Sequence, residues 1–135
     1  MQQVTLRGSY SDCIMDERRR IGKSGEKQAE QFLKSHGLEI LGTNVKLDSG
    51  EIDIIARENL TVVFVEVKTR ASSSFAEPEA SVNKNKANHI IACADEYMQL
   101  NPELGEFWRI DVIAITHKQN KERKEIIWYQ NAISD

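Results

Sequence analysis

Cysteine and proline are scarce in this sequence, with two residues of each among 135. Two thiols, Cys13 and Cys93, cannot build the disulfide framework of a small secreted domain, and neither lies in a CxxC pair or another zinc-ligand spacing. A redox or zinc protein built on these cysteines with His36, His89 and His117 is therefore the least favoured function. We expect both cysteines to be free thiols, with Cys93 in the core.

Long apolar runs are missing as well. No run approaches the roughly 18 to 20 residues that a membrane-spanning helix needs. The N-terminal stretch MQQVTLRGSYSDCIMDERRR lacks the apolar segment of a signal peptide. We therefore expect a cytoplasmic protein that does not associate with membranes.

The sequence also lacks an excess of basic residues. A net charge of -3 and an isoelectric point near 5.7 argue against a protein that coats nucleic acid by bulk electrostatics, since such binding rests on many lysine and arginine contacts to phosphate. Basic residues nevertheless cluster locally, and each cluster is either a solvated surface or a local phosphate contact. The clusters are Arg18–Arg20, Lys68 with Arg70, Lys84 with Lys86, and Lys118–Lys124.

What is present fits one soluble globular domain. The chain is 40% hydrophobic and 29% charged, with a mean hydropathy of -0.50, and its length suits a single core. Residues 1–20 show no sustained apolar period and end in a charge run, which predicts a flexible or partly helical extension. Residues 21–135 are predicted to form the domain.

The apolar periodicity predicts an α/β fold. Between Lys23 and Gly37, apolar residues recur at helical spacing, and Gly37 is a natural stop. A second helix is predicted over Val82–Leu100, and strands over Leu38–Lys46, Glu51–Arg57, Thr61–Thr69, Phe107–Thr116 and Ile126–Tyr129. A long helix between the third and fourth strands suggests a crossover, which normally makes those strands parallel. The expected architecture is a mixed sheet flanked by helices, in the order α-β-β-β-α-β-β.

The second and third strands carry acids where a plain sheet would not place them. In the stretch GEIDIIARENLTVVFVEVKTR, Glu66 and Lys68 share one face of their strand because side chains alternate. A turn with an even number of residues then places Asp53 directly opposite Glu66, and Glu51 opposite Lys68. An odd-numbered turn would separate Asp53 from Glu66 onto opposite faces.

Opposed acids need compensation, because their Cβ atoms lie only about 5 Å apart and like charges so placed destabilise a sheet. A divalent cation would turn this repulsion into coordination, and Mg²⁺ commonly uses one or two carboxylates with water or phosphate. Asp53, Glu66 and the Val67 backbone carbonyl are the candidate ligands. The alternative is an ordinary salt-bridged hairpin surface, in which Glu51 and Glu66 pair with Lys68 and Arg57.

Each helix contributes one charged residue at the border of its apolar stripe. Glu26 lies three residues before Ala29, and Lys86 lies four residues before Ile90. Each is either a boundary charge that reaches water or a group that converges on the hairpin acids.

The motifs GEKQAEQFL, GEIDIIA, VFVEVKTR, SVNKNK and WRIDVIAI occur together in this order. Through them the chain resembles the YraN-like family of bacterial uncharacterised proteins, which belongs by motif to the PD-(D/E)xK nuclease superfamily, and its Holliday-junction-resolvase-like branch in particular. The match runs from about Ile21 to Asp111 and beyond. The resemblance implies a restriction-endonuclease-like mixed sheet flanked by helices.

The resemblance also implies site residues. Asp53 matches the superfamily's metal-binding aspartate, and Glu66 with Lys68 matches its (D/E)xK pair. Glu26 corresponds to the acid on the first helix of resolvase-like branches, and Lys86 to a basic residue on the following helix. Glu51 matches the GEID motif with a less certain role. Ile110 stands before Asp111 where the family has an aromatic residue, and Asp111 is not placed among the catalytic residues.

The leading hypothesis is a Mg²⁺- or Mn²⁺-dependent endonuclease with Glu26, Asp53, Glu66 and Lys68 as catalytic residues. DNA is the expected partner, with Arg70, Lys84 and Lys86 contacting backbone phosphates, and the resemblance suggests a role in DNA repair or recombination. A homodimer would double the basic surface, although the sequence does not fix the oligomeric state. The alternative is a non-catalytic DNA-binding or interaction module that retains the nuclease fold.

Overall fold

A computed structural model describes residues 24–71, 83–117 and 124–133 of the chain. The predicted extension, residues 1–20, lies outside these ranges, as does most of the serine-rich stretch after the third strand. Helix α1 covers residues 24–35, and Gly37 follows it with a φ of 90°. This left-handed conformation favours glycine because a Cβ is strained there. The predicted stop of the first helix is confirmed.

The remaining elements follow the predicted order. They are β1 (Glu39–Leu47), β2 (Gly50–Glu58), β3 (Thr61–Ala71), α2 (Lys84–Leu100), a single 3₁₀ turn (Pro102–Leu104), β4 (Trp108–His117) and β5 (Lys124–Ile133). The strands form one sheet in the order β1-β2-β3-β4-β5. Only the β3–β4 pair is parallel, because α2 crosses over between these strands. The α/β fold class and the mixed sheet are confirmed.

The two helices cover opposite faces of the sheet. Val63 and Val65 of β3 pack in a buried cluster with Ala29 and Leu33 of α1. The alternate residues of β3, Val62 and Phe64, pack in a second cluster on the other face. This cluster includes four residues of α2: Ile90, Cys93, Ala94 and Met98. Because alternate residues of a strand point to opposite faces, β3 is the common wall of both cores. Cys93 is buried and free, as predicted. No helix among the described residues is long and apolar enough to cross a membrane.

Strand β5 is longer than the prediction of Ile126–Tyr129. Its pairing with β4 extends to Ile110–Ile133 across an irregularity that coincides with Asp111. Asn131 takes a φ of 51° there, and its backbone N–H donates to Asp111 Oδ1 at 2.8 Å. The sequence QNAI has little strand propensity. This tertiary hydrogen bond therefore extends the strand where local preference would end it.

Asp111 is fully buried and accepts hydrogen bonds from Arg109, Trp128 and Asn131. Trp128 Nε1 donates to Asp111 Oδ2 at 2.9 Å, and Arg109 Nε donates to Oδ1 at 3.0 Å. Arg109 Nη1 also donates to Glu58 Oε1 at 2.8 Å, which joins β4 to the end of β2. A buried carboxylate is tolerated because several donors surround it. Asp111 thus connects β4 to β5 and stabilises the fold.

We predict that Asp111→Ala destabilises the protein by roughly 3 to 5 kcal/mol, because it leaves Arg109 and two further donors without their acceptor. Glu58→Gln is the matched control, since it removes the more exposed acid from the same arginine and should cost about 1 kcal/mol or less. Urea denaturation of both variants measures the difference. Equal losses of stability would show that burial does not distinguish the two carboxylates.

Candidate functional site

The site forms where β2 and β3 part. Their ladder runs from Glu58–Thr61, next to a two-residue turn, to Ile54–Val65. Asn59 in that turn has a φ of 56°, a conformation that asparagine tolerates better than most residues. Of the two alternatives, the turn is the even-numbered one. The ladder ends before the pairs expected from it, Asp53 with Glu66 and Glu51 with Lys68, so Asp53 and Glu66 are the next residues on their strands beyond the last paired position.

Beyond the end of the β2–β3 ladder, the Asp53 side chain accepts a hydrogen bond from the β3 backbone. Asp53 Oδ2 accepts a hydrogen bond of 2.9 Å from the Val67 N–H. In a strand, the N–H and C=O of one residue point to the same side. The Val67 carbonyl therefore points toward the same side as Asp53, which is the position expected of a ligand beside this carboxylate.

Burial makes the two acids hard to ionise. It raises the pKa of Asp53, and the negative charge of Glu51 adds to this effect, while the Val67 N–H and the positive charge of Lys86 oppose it. Burial likewise raises the pKa of Glu66, followed by repulsion from Asp53, whereas Lys86 and Lys68 lower it. The site therefore holds two partly buried acids that repel one another, and added positive charge would stabilise both.

A lysine from α2 supplies positive charge at this site. Lys86 Nζ lies 3.3 Å from Glu66 Oε2, and the Glu66 side chain is only 12% exposed. The first turn of α2 is fixed by its N-cap, because Asn83 Oδ1 accepts from the Lys86 N–H at 2.8 Å. The salt-bridged alternative placed the partner of Glu66 within the hairpin. In the structure the partner is Lys86, which lies outside the hairpin in the first turn of α2. Lys68 shares the Glu66 face of β3 and acts on the same carboxylate electrostatically.

Helix α1 reaches the far half of β3 through Gly25. A Cβ at residue 25 would lie 2.5 Å from Thr69 Oγ1, so only glycine permits this approach. Glu26 is the next residue, and it is half-buried. Thr69 belongs to the α1 face of β3, together with Val63 and Val65. The contact therefore places the first turn of α1 on the face of β3 opposite Glu66 and Lys68. Its catalytic role stays a prediction.

The two other residues predicted to contact phosphate, Arg70 and Lys84, lie on β3 and α2. Arg70 follows Lys68 by two residues on β3, so it belongs to the same face, and it is half-buried. Lys84 is the first residue of α2 and is exposed. Their roles toward nucleic acid stay predictions.

The donor set suits a hard divalent cation that keeps much of its own solvation. Within residues 24–71, 83–117 and 124–133, no group of three or more histidine, cysteine, aspartate or glutamate side chains is arranged to hold a metal. The donors expected from the sequence are the carboxylates of Asp53 and Glu66 and the Val67 carbonyl, all of them oxygen atoms. Mg²⁺ commonly binds one or two carboxylates and completes its octahedron with water and substrate phosphate. The residues therefore fit Mg²⁺ or Mn²⁺ better than a metal that needs a closed set of side chains.

Sequence reasoning missed a depression beside these acids, with a volume of about 290 Å³. It lies between α2 and the β1–β2 turn, and its lining includes Ser49, Gly50 and His89. Glu96 of α2 fixes the turn, because its carboxylate accepts from the Asp48 N–H at 3.1 Å and the Ser49 N–H at 2.9 Å. These contacts join residues nearly fifty positions apart, so a local sequence pattern cannot predict them.

We predict that Asp53→Asn stabilises the protein in metal-free neutral buffer by up to about 1 kcal/mol. The amide oxygen can still accept from Val67, while the repulsion from Glu66 is lost. Because the folded state raises the pKa of Asp53 above its ordinary value of 3.8, the folded protein binds this proton more tightly than the unfolded chain. Ionisation of Asp53 therefore lowers the stability of the wild type as the pH rises above about 4. The stability gained by Asp53→Asn should disappear below about pH 4, where Asp53 is protonated in both states.

Urea denaturation in EDTA across this pH range measures the effect. Asp95→Asn, an exposed position on α2, is the control and should leave stability nearly unchanged. A loss of stability in Asp53→Asn at neutral pH would mean that the negative charge holds the site together rather than straining it.

Comparison with known proteins identifies relatives over most of the chain. The model of the uncharacterised protein family UPF0102 matches residues 25–115. A UPF0102 protein of Caldicellulosiruptor saccharolyticus is 38% identical over 115 residues, which cover 85% of this chain and 98% of the relative. A UPF0102 protein of Caldicellulosiruptor bescii is 45% identical over 98 residues, covering 72% and 82% of the two chains. A UPF0102 protein of Francisella tularensis subsp. tularensis is 40% identical over 114 residues, covering 83% and 92%.

Among solved structures, SfsA of Pyrococcus furiosus in complex with Ca²⁺ matches with a TM-score of 0.40 and 16% identity. The match covers 87% of this chain and 65% of that chain. The family model spans the first helix, the parted strands and most of β4, and the match to the Caldicellulosiruptor saccharolyticus relative extends over 98% of that protein. The chain therefore belongs to the uncharacterised protein family UPF0102.

Proposed function

We propose that this protein is a Mg²⁺- or Mn²⁺-dependent nuclease that hydrolyses phosphodiester bonds in DNA. The observation that carries the proposal is the meeting of Asp53 and Glu66 where β2 and β3 part, with Lys86 3.3 Å from Glu66. The motif resemblance to PD-(D/E)xK nucleases supports it, because the same residues match that superfamily's metal aspartate and (D/E)xK pair. Two partly buried acids with adjacent lysines also lower stability, which favours a functional role for them.

In this proposal Asp53, Glu66 and the Val67 carbonyl hold the cation. When bound, the cation neutralises charge on the scissile phosphate and lowers the pKa of a water molecule. The Val67 N–H fixes Asp53 before any ligand arrives, so little reorganisation is needed on binding. A prearranged carboxylate of this kind contributes mainly by positioning.

The basic residues act on the substrate. In the proposed reaction Lys68, on the Glu66 face of β3, orients the attacking water or stabilises negative charge that develops on the phosphate. Arg70, Lys84 and Lys86 contact neighbouring phosphates of the backbone. Glu26 on α1 is the further acid of the site, as in the resolvase-like branch that the sequence resembles.

One observation favours a second function, a DNA-binding module without catalysis. The Lys86–Glu66 ion pair already neutralises one acid without a metal. A protein that had lost cleavage would keep this pair and the basic residues around it. Binding of DNA that is unaffected by EDTA and by Asp53→Ala would support the module.

We predict that the wild-type protein with Mn²⁺ cleaves at least one of four labelled substrates: duplex, single-stranded, flapped or four-way DNA. Glu66→Gln should lower the rate roughly 100-fold, since it keeps the side-chain size and removes the charge. Lys68→Met should lower kcat more than it raises KM if the lysine acts in the transition state. Gel analysis of the products over time measures each rate.

Glu39→Gln, an exposed position on β1, is the control for a glutamate without a role in the site. Equal cleavage by the wild type and Glu66→Gln would assign the activity to another site or to a contaminant. If no substrate is cleaved in any reaction and DNA binding is unchanged by EDTA, the nuclease proposal fails and the DNA-binding module is supported.

A further inference from the structure

The depression beside the acids has an apolar floor and a polar rim. Ile90 and Cys93 form its floor and are 4% and 1% exposed. Lys86 and His89 stand on the α2 side, and Ser49–Glu51 form the opposite wall. The four α2 residues fall at positions i, i+3, i+4 and i+7, so they share one face of the helix.

This depression adjoins the proposed catalytic residues. Lys86 belongs to its lining and also contacts Glu66 at 3.3 Å. Glu51 belongs to the opposite wall and is close enough to raise the pKa of Asp53. A nucleic acid with its scissile phosphate at Asp53 and Glu66 would therefore present an adjacent nucleotide to the depression.

The wall opposite α2 is fixed in place. Glu96 accepts hydrogen bonds from the Asp48 and Ser49 N–H groups. Gly50 has a φ of 146°, and a Cβ there would lie 3.2 Å from Cys93 Sγ. The turn is thus held close to the helix by groups on both elements. Contacts within the chain therefore hold the two walls of the depression in place.

The chemistry of the lining favours a neutral, planar ligand over an anion. Glu51 places negative charge on one wall, and the Lys86 ammonium is already paired with Glu66. A phosphate inside the depression would meet repulsion from Glu51, while the Lys86 ammonium is directed toward Glu66 and the backbone phosphates that we propose beside it. A nucleobase, in contrast, can lie on the apolar floor, stack on the His89 imidazole and hydrogen bond to Glu51 or Lys86.

We propose that this depression, lined by Glu51, Lys86, His89, Ile90 and Cys93, binds an unpaired nucleobase next to the scissile phosphate. A paired base cannot enter, because its faces are stacked and its hydrogen-bonding edge is occupied. The substrate class is then DNA with an unpaired nucleotide at the cleavage site, such as a bulge, a flap or a single strand. This inference rests on the proposed function, since it takes the neighbouring carboxylates as the site of cleavage.

The test uses two short duplexes that differ at one nucleotide. In one, a fluorescent 2-aminopurine is paired with thymine; in the other, the same 2-aminopurine is unpaired in a bulge. We expect the full-length protein to bind the bulged duplex about tenfold more tightly, which corresponds to about 1.4 kcal/mol. The 2-aminopurine fluorescence should change only in the bulged complex, because stacking alters its emission. Titrations are made in EDTA and repeated with Mg²⁺.

Variants at His89 separate stacking from charge and from folding. His89→Ala should remove the tenfold preference, whereas His89→Phe should retain it because phenylalanine also stacks on a base. Asn88→Ala is the matched control, since Asn88 is the exposed neighbour on α2 and does not line the depression. Circular dichroism shows whether each variant is folded.

Equal binding of the two duplexes by the wild type would overturn the inference, as would a preference that survives in His89→Ala. These outcomes are independent of cleavage. If Glu66→Gln abolishes cleavage while the duplexes bind equally, the nuclease stands and the base site fails. If the bulge is preferred and no substrate is cut with Mn²⁺, the base site stands as a binding site and the nuclease fails.

Discussion

The central electrostatic constraint in this structure is the repulsion between the carboxylates of Asp53 and Glu66, where β2 and β3 separate. Asp53 and Glu66 are partly buried, burial raises the pKa of both, and the charge of Asp53 raises the pKa of Glu66 further. The chain opposes these effects locally, with the Val67 N–H on Asp53 and Lys86 on Glu66. Ionised carboxylates held in this way lower the stability of the folded state, and in our proposal a cation and a phosphate complete the site during function.

The fold brings these groups together through its single crossover. Because α2 connects parallel strands, its first turn returns to the end of β3 where the sheet has opened, and Lys86 reaches Glu66 from there. On the other face, Gly25 lets α1 approach Thr69 closely. The same crossover sets α2 against the β1–β2 turn, which creates the depression beside the acids.

Local patterns predicted much of this arrangement. Period-two alternation placed Glu66 and Lys68 on one face of β3, and one of the two possible turn parities brought Asp53 next to Glu66. Helical periodicity put Lys86 at the border of the apolar stripe of α2 and left open whether it reaches the hairpin acids, which its contact with Glu66 shows that it does. The full length of β5 could not be predicted, because it depends on a hydrogen bond from Asn131 to buried Asp111, twenty residues away in sequence. The Glu96 contacts escaped prediction for the same reason. Long-range hydrogen bonds leave no periodic signal in a single sequence.

The most direct test of the account is a calorimetric titration of Mn²⁺ into the wild-type protein and into the Asp53→Ala/Glu66→Ala double variant. Circular dichroism should first establish that both are folded. We predict saturable binding to the wild type that is lost in the double variant, which would locate the cation where β2 and β3 part. Equal binding by both proteins, or none by either, would contradict the assignment of these two acids as metal ligands.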